Sequence, residues 1–435
     1  MLQKNSELEL NIISLGVNGE GVAKHEGAVI FVPFALPNEK VKAKIIYAKS
    51  NFYVAKVMQV ITPSPFRINP PCPYFLKCGG CDLQHLTYEE QLNFKTNLVK
   101  NNLKSIAKLE PIVLPCEKSD LSFNYRNKFS FPISKMGVGM FKQGSHEIIP
   151  IDNCLIQADW VKPVIKIFNT FISQSGNSVY NEQTKQGLLK HLVCRMEQNQ
   201  LLVCVVINGN KLKHSEKLIE MLSDNFEHFG LMLNINTLCN NVILTDKFVY
   251  LHGLKTITIS QNQILFDVSI NSFLQVNTLV ASKIYDEVIK HVTNEVVVNA
   301  YSGAGLLTAM LSKTAKHVYG IEIEKSAHLN AEELIKKNSI TNVTNICGDV
   351  KVELQNIKNF NSIVLDPPRK GCDKTVIELI NNVQPQKIVY VSCDSATLSR
   401  DINNLKGYNL IYVKPFDMFP QTKHVETLAV LEKQK

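Results

Sequence analysis

The sequence predicts an α/β protein of several domains: a small N-terminal β-barrel, a central α+β region and a C-terminal open parallel sheet wound with helices. Three observations carry this. Residues 8–62 are short β-branched runs broken by Gly and Pro. Residues 190–265 mix short strands with a helical stretch near Ser215–Asn225. From Val292 onward, strand, loop and helix patterns alternate. The chain has 435 residues, enough for two or three domains with sizeable cores. Hydrophobic content of 45% with 20% charged residues excludes a disordered chain. A net charge of +8 suits a polyanionic partner but decides little alone. No apolar run is long enough to span a bilayer and no signal-type segment opens the chain, so a cytoplasmic protein without membrane contact is expected. In that reducing compartment, clustered members of the 11 cysteines read as metal ligands.

Residues 1–62 are the first predicted domain. Strand-like runs at 8–15, 28–32, 40–46 and 54–61 are separated by Gly16, Gly19, Gly21 and Gly27, then by Pro33 and Pro37-Asn38-Glu39. Short strands at this spacing suggest a five-stranded, OB-like barrel. Lys40, Lys42, Lys44, Lys49 and Lys56 lie along it beside Phe52 and Tyr53, which suits a nucleic-acid surface and an ordinary solvated face equally. The spacing Gly-x-x-Gly-x-Gly-Val-Ala, then Val-Ile-Phe-Val-Pro and Pro-Asn-Glu, resembles the TRAM domain, an RNA-binding barrel. Asn38 stands where that family usually has Gly, and Asn also tolerates a left-handed turn.

A proline-rich link, Thr62 to Pro71, leads into the predicted central α+β domain, residues 63–270. Cys72-Pro-Tyr-Phe-Leu-Lys-Cys78-Gly-Gly-Cys81 gathers three cysteines in one loop. Core packing does not explain such a cluster, and Gly79-Gly80 lets backbone wrap an inorganic centre. Zinc and iron–sulfur both take thiolates. A fourth ligand must come from afar; Cys154 is preferred and Cys116 competes. Residues 87–106 read as a helix with Leu92, Val99, Leu103 and Ile106 on one face. Phe94 and Leu98 lie roughly opposite, so this helix can also pack on the C-terminal domain, with Lys95, Lys100 and Lys104 on its flanks. Tyr125-Arg126-Asn127-Lys128 and the stretch Phe141 to His146 offer phosphate contacts. His191, His214, His228 and His252 have no ligand spacing and read as structural or surface residues.

Residues 271–435 form the C-terminal domain. Glu295 to Ala300 is a strand, followed by the turn Tyr301-Ser-Gly303-Ala-Gly305 and a helix start. Lys316 to Glu322 ends a second strand on a carboxylate about 20 residues beyond Gly303, the offset at which an acid bonds ribose hydroxyls. Val343 to Asp349 and Asn361 to Asp366 end two further strands on acids. Ligands of open α/β sheets bind at these strand ends. The pyrophosphate fingerprint needs a third glycine that this turn lacks, which favours S-adenosyl-L-methionine over a dinucleotide.

Ile388 to Val391 reads as a fifth strand, and Cys393 sits where it stops, before the helix caps Asp394 and Ser395. A thiol at a helix start is expected to have a lowered pKa and to be a nucleophile. A buried structural cysteine is the ordinary alternative. Two neighbouring motifs favour chemistry: Asp366-Pro-Pro-Arg369-Lys-Gly, and Asp417-Met-Phe-Pro-Gln-Thr-Lys-His-Val-Glu426, which supplies a candidate base. A turn residue for Asp366 and a surface carboxylate for Glu426 are the bland readings.

Together these motifs resemble the TRAM-containing, iron–sulfur RNA (uracil-5-)-methyltransferases over nearly the whole chain, and most closely the branch acting on 23S ribosomal RNA. The resemblance implies a Rossmann-like class I methyltransferase domain and two cofactors, S-adenosyl-L-methionine and a [4Fe-4S] cluster. It implies RNA as partner, with 23S ribosomal RNA expected and tRNA the alternative, and a monomer is expected. Cys72, Cys78, Cys81 and Cys154 match the cluster ligands. Gln275, in Ser272-Phe-Leu-Gln-Val-Asn277, matches a cofactor-binding glutamine. Tyr301, Glu322 and Asp366 match cofactor contacts, and Gly303 and Gly305 of the turn are expected to bind the cofactor with them; Asp349 falls where the third strand meets the adenine. Cys393 matches the nucleophile and Glu426 the proton acceptor. The family often has Asp at Asn299, Cys at Ser302, and Asn or Thr at Leu306. An N6-adenine methyltransferase shares Asp-Pro-Pro but needs no nucleophilic cysteine and normally has an aromatic where Arg369 stands. A non-catalytic iron–sulfur RNA-binding protein is the remaining alternative.

Overall fold

The computed structural model describes residues 2–49 and 51–435. Strands β1 (Glu7–Leu15), β2 (Gly21–His25), β3 (Ala28–Val32), β4 (Lys40–Ala48) and β5 (Phe52–Thr62) close a barrel in the order β1-β2-β3-β5-β4. Alternation puts Val41, Ala43 and Ile45 inside with Leu10, Ile12 and Ile30, and turns Lys40, Lys42 and Lys44 outward. The sequence reading places only turns around Gly19, Gly21 and Gly27, yet β2 begins at Gly21. A Cβ there would lie 2.8 Å from the Ala35 carbonyl oxygen and 2.9 Å from Ile12, so this glycine serves close packing rather than a turn. Asn38 adopts the expected left-handed conformation, with φ +68°. It presents the buried Glu39 carboxylate to the Leu36 and Ser64 amides and the Arg67 guanidinium, fastening the proline-rich link to the barrel. Lys40 and Lys42 pair with Glu9 and Glu7 at 2.6 and 2.9 Å. Among the described residues, the unpaired charge of the five barrel lysines therefore rests on Lys44, Lys49 and Lys56.

Helix α1 (Tyr88–Asn102) follows and widens into a π turn over Leu103–Ala107. A seven-stranded sheet comes next, built from β6 (Lys128–Ser134), β7 (Gly137–Phe141), β8 (Ile148–Pro150), β9 (Leu189–Glu197), β10 (Gln200–Ile207), β11 (Phe229–Ile235) and β12 (Phe248–Gly253). Its order is β12-β11-β10-β9-β6-β7-β8. Helices α2 (Val161–Ser175) and α3 (Ser215–Ser223) cover one face through Val164, Phe168, Phe171 and Leu218. The basic stretch before β6 is mostly committed inward, against the phosphate-contact reading. Tyr125 and Asn127 are buried; Tyr125 Oη donates to the Pro420 carbonyl at 3.1 Å and Lys128 Nζ to the Ile270 carbonyl at 2.7 Å.

A hairpin, β13 (Ile257–Gln261) and β14 (Ile264–Val268), precedes the C-terminal sheet. That region runs α4 (Thr278–Lys290), β15 (Val296–Ala300), α5 (Leu306–Leu311), β16 (His317–Glu322), α6 (Lys325–Lys337), β17 (Val343–Cys347), α7 (Val350–Glu353) and β18 (Ser362–Leu365). It continues with α8 (Lys374–Val383), β19 (Lys387–Ser392), α9 (Ser395–Asn404), β20 (Tyr408–Phe416) and β21 (Glu426–Lys433). The order is β17-β16-β15-β18-β19-β21-β20, with β21 antiparallel to both neighbours. The chain reverses direction of winding at β15, which opens a crevice at the carboxyl ends of β15 and β18. Among the described residues no helix is long and apolar enough to cross a membrane.

Helix α1 packs on this C-terminal sheet chiefly through the face that carries Leu92, Val99 and Leu103, not through the opposite face with Phe94. Val99 and Leu103 join a core with Ile388, Leu398 and Ile402. Lys95, read from the sequence as a flank residue, is fully buried in an ion pair with the equally buried Asp417, and also donates to the Phe419 carbonyl at 3.0 Å. Removing one partner leaves an uncompensated buried charge, which costs about 3–5 kcal/mol. Lys95→Met should lower unfolding stability by about that amount in denaturant titration, whereas Lys40→Met on the barrel surface should cost under about 1 kcal/mol. Equal losses would contradict this assignment.

Candidate active site

The site is assembled by strand pairing. Ser392 on β19 lies opposite Thr427 on β21. Cys393 therefore emerges beside Glu426, at the sheet edge where β15, β16 and β18 also end. Asp394 caps α9 by accepting from the Ala396 and Thr397 amides at 2.9 and 3.0 Å, which fixes the chain directly after the cysteine. The loop after β18 brings Asp366 and Arg369 to the same place, with the Arg369 guanidinium close enough to the Cys393 thiol to lower its pKa. Cys393, Glu426, Asp366 and Arg369 all line one cleft of about 820 Å³.

Burial dominates the electrostatics here. It holds Glu426 well above the ordinary carboxylate range, with the Asp366 charge adding to the shift and Arg369 opposing it. Asp366 is pushed up to about 7 by burial. The Cys393 thiol is also raised, first by burial and then by Glu426, while Arg369 pulls it down. This reverses the sign expected from a helix start. A helix end is worth about 0.3–1 kcal/mol, under about one pKa unit. Desolvation reaches several units, so it wins.

Gln275, Tyr301, Gly303, Glu322 and Asp349 line the same cleft. The Gly303 amide donates to Glu322 Oε2 at 2.8 Å and the Glu324 amide to Oε1 at 2.7 Å, so the carboxylate is held by backbone at the end of β16. Tyr301 and Gly303 are both left-handed, at φ +63° and +57°, and a Cβ on Gly303 would meet nothing within 4 Å. Open space beside that turn suits a ligand. Gly305 differs from its predicted role: it does not line the cleft, and a Cβ on it would lie 2.6 Å from that of Ala331, so it packs the start of α5 against α6. Asp349 caps α7 through the Lys351 amide at 3.1 Å. Asn299 donates to Thr308 Oγ1 at 2.8 Å and leaves its buried Oδ1 without a partner. An orphaned acceptor, a backbone-held carboxylate and an open glycine turn fit a polar nucleoside cofactor. Ser302 and Leu306, the other positions that depart from the family pattern, line the cleft as well. Phe273, 77% exposed and able to stack on a base, is a cleft residue to which the sequence assigned no role, and Arg126, from the stretch expected to meet phosphate, also lines the cleft with its guanidinium 5.9 Å from the Phe419 ring centroid.

Cys72, Cys78, Cys81 and Cys154 line a second, smaller cavity of about 220 Å³. Burial raises the thiols of Cys81 and Cys154 to about 12 and about 11. Among the described residues, no three such side chains converge tightly enough to hold a single metal ion. Four thiols lining one cavity are a donor set that a zinc ion and an iron–sulfur centre both use. Cys116 lies elsewhere, buried in the core with Val99 and Leu103.

A family model described as tRNA (Uracil-5-)-methyltransferase matches residues 87–434, and a TRAM domain model matches residues 2–58. An uncharacterized RNA methyltransferase of Clostridium acetobutylicum is 37% identical over 451 residues, covering 99% of this chain and 98% of its own. Another, from Caldanaerobacter subterraneus subsp. tengcongensis, is 36% identical over 441 residues and 98% of each chain. Among solved structures, the Pyrococcus abyssi tRNA (uracil-54, C5)-methyltransferase in complex with S-adenosyl-L-homocysteine superposes with a TM-score of 0.82 at 27% identity, over 97% of this chain and 99% of that one.

Arg369 lowers the pKa of both Cys393 and Glu426. In Arg369→Gln both groups should hold their protons to higher pH. Alkylation of Cys393 by iodoacetamide, followed by peptide mass spectrometry, should then rise along a curve displaced to alkaline pH. An unmoved curve would show that the guanidinium does not act on the thiol.

Proposed function

The chain belongs to the tRNA (uracil-5-)-methyltransferase family, with an N-terminal TRAM domain, and from that premise we propose that it methylates carbon 5 of a uridine in RNA through a covalent Cys393 adduct. The observation that carries this reading is the pairing of Cys393 with Glu426 in one buried cleft beside the nucleoside-type turn. S-adenosyl-L-methionine supplies an electrophilic methyl group when bound. Glu322 would bond its ribose hydroxyls, Asp349 its adenine, and Gln275, Tyr301 and Asp366 its remaining polar groups.

Carbon 5 of uracil is too weak a nucleophile to take a methyl group unaided. Cys393, once deprotonated, adds to carbon 6 and turns the ring into an enolate whose carbon 5 is reactive. After methylation carbon 5 still bears its proton. Glu426 removes it, the electron pair reforms the 5,6 double bond, and the cysteine leaves as thiolate. Attack at the ring face requires the uridine to leave its stack, and Phe273 offers a surface for the exposed base. Asp366 keeps a high pKa through burial and is assigned to the cofactor, not to the carbon-5 proton.

The cavity with Cys72, Cys78, Cys81 and Cys154 is proposed to hold a [4Fe-4S] cluster in a structural role. The clustered loop, its paired glycines and the four thiols on one cavity support it. The substrate proposed is 23S ribosomal RNA, on the branch that the motifs resemble most. A tRNA is the second reading, favoured because the solved Pyrococcus abyssi relative acts on uracil 54 of tRNA. Both readings place the protein in the cytoplasm.

Two measurements test these assignments. With methyl-labelled S-adenosyl-L-methionine, Cys393→Ala should give neither adduct nor product. Glu426→Gln should stall as a methylated RNA bound covalently to protein, visible on a denaturing gel, with turnover reduced about 10²–10⁴-fold. Parental turnover in Glu426→Gln would remove it as the base. Mapping 5-methyluridine in a strain lacking the gene then separates the two RNA targets. Second, anaerobically purified protein should carry about four irons, lost in Cys154→Ser and kept in Cys116→Ser. Stoichiometric zinc without iron would overturn the cluster.

A further inference from the structure

Glu426 is preceded by the segment from Asp417 to Val425, and one residue in that segment is both strained and over-held. Gln421 is a non-glycine residue in the left-handed region, at φ +69°, and is only 3% exposed. Such a conformation persists where its surroundings over-determine it. The Asp82 and Leu83 amides both donate to its carbonyl at 3.0 Å. Its own amide donates to Gln91 Oε1 at 3.1 Å, and Gln91 Nε2 returns a bond to its Oε1 at 3.1 Å. Its Nε2 donates to the Ser122 carbonyl at 3.3 Å. Two residues on, the Lys423 amide donates to Asp82 Oδ2 at 3.2 Å. Asp82 directly follows Cys81.

We propose that Gln421 is a positioning residue for Glu426: it registers the segment carrying the base against the segment that leaves the cysteine cavity, so that the state of the cysteine loop sets the reach of the base. Three features favour this over simple loop packing. The bonds converge on one residue from three separate stretches of chain, at Asp82-Leu83, Gln91 and Ser122. They fix both its backbone and its side chain. Cys393 lies on a different strand and is not held by them. Displacing this clamp therefore moves the base relative to substrate while leaving the nucleophile in place. The inference rests on the assignment of Glu426 as the base.

Proton removal at carbon 5 follows methyl transfer, so a mispositioned base has a signature that general destabilisation lacks. Gln421→Gly keeps the left-handed backbone at no steric cost and deletes the side-chain bonds. With full-length protein, substrate RNA and methyl-labelled S-adenosyl-L-methionine, single-turnover methyl transfer should be unchanged. Product release should slow about tenfold, part of what a general base supplies, and the labelled protein–RNA band should accumulate. Affinity for S-adenosyl-L-homocysteine should stay at the parental value. Gln421→Asn, which tolerates the same backbone and keeps an amide, should restore part of the release rate. Equal slowing of transfer and release, or parental release with no band, would overturn the proposal. If Gln421→Gly does not fold, Asp82→Asn decides in its place. It weakens the acceptor for the Lys423 amide and should give the same band to a lesser degree, and no band overturns the proposal. Glu426→Gln separates the two levels: a band there but none in Gln421→Gly defeats this inference alone, and no band in either defeats the base assignment with it.

Discussion

The structure depends on holding one irregular segment, Asp417 to Val425, in place above the C-terminal sheet. Its anchor is the buried ion pair between Lys95 and Asp417. Two desolvated charges are expensive, and they are tolerated only where further hydrogen bonds satisfy them. Lys95 is further satisfied through the Phe419 carbonyl, and the Asp417 amide donates to the Glu117 carbonyl at 2.9 Å, which fixes the backbone at the pair. Other regions then attach to the same segment. Tyr125 donates to Pro420, Asn277 Nδ2 donates to Met418, and Lys423 Nζ donates to Asn18 of the barrel at 2.9 Å. The segment also supplies Phe419 to the cleft and leads directly into Glu426. A break at Lys95 would therefore be felt by the cleft wall, the base and the barrel contact together.

How much of this was legible in the sequence followed from the range of the interactions involved. The central strands β15, β18 and β19 are buried on both faces, so each reads as an apolar run leading to a polar residue. Parallel topology alone then gathers Tyr301, Glu322, Asp366 and Cys393 at one edge. The cysteine loop was legible because its spacing is local. Strand β2 was not, because Gly21 signals a turn by composition and shows its packing role only against Ala35 and Ile12. Lys95 looked like any lysine on a helix flank, since its partner lies 322 residues away. Tyr125 and Lys128 were misplaced for the same reason: their stretch has a surface composition, but Pro420 and Ile270 take these two side chains inward, whereas Arg126 reaches the cleft. The sign of the Cys393 shift was misread because the helix start is a local feature, whereas the dominant burial, and Glu426 that adds to it, come from the tertiary fold.

The electrostatics of the cleft bear on the order of events. Asp366 raises the pKa of Glu426, and Glu426 raises that of Cys393. Three acidic groups thus compete for ionisation in a buried space, and Arg369 favours the charged form of both Cys393 and Glu426. In such a cluster protons leave in coupled steps that belong to the group as a whole. Charge on Asp366 further disfavours the thiolate while Arg369 opposes that effect, so the hold of the guanidinium on the thiol governs how readily the nucleophile forms.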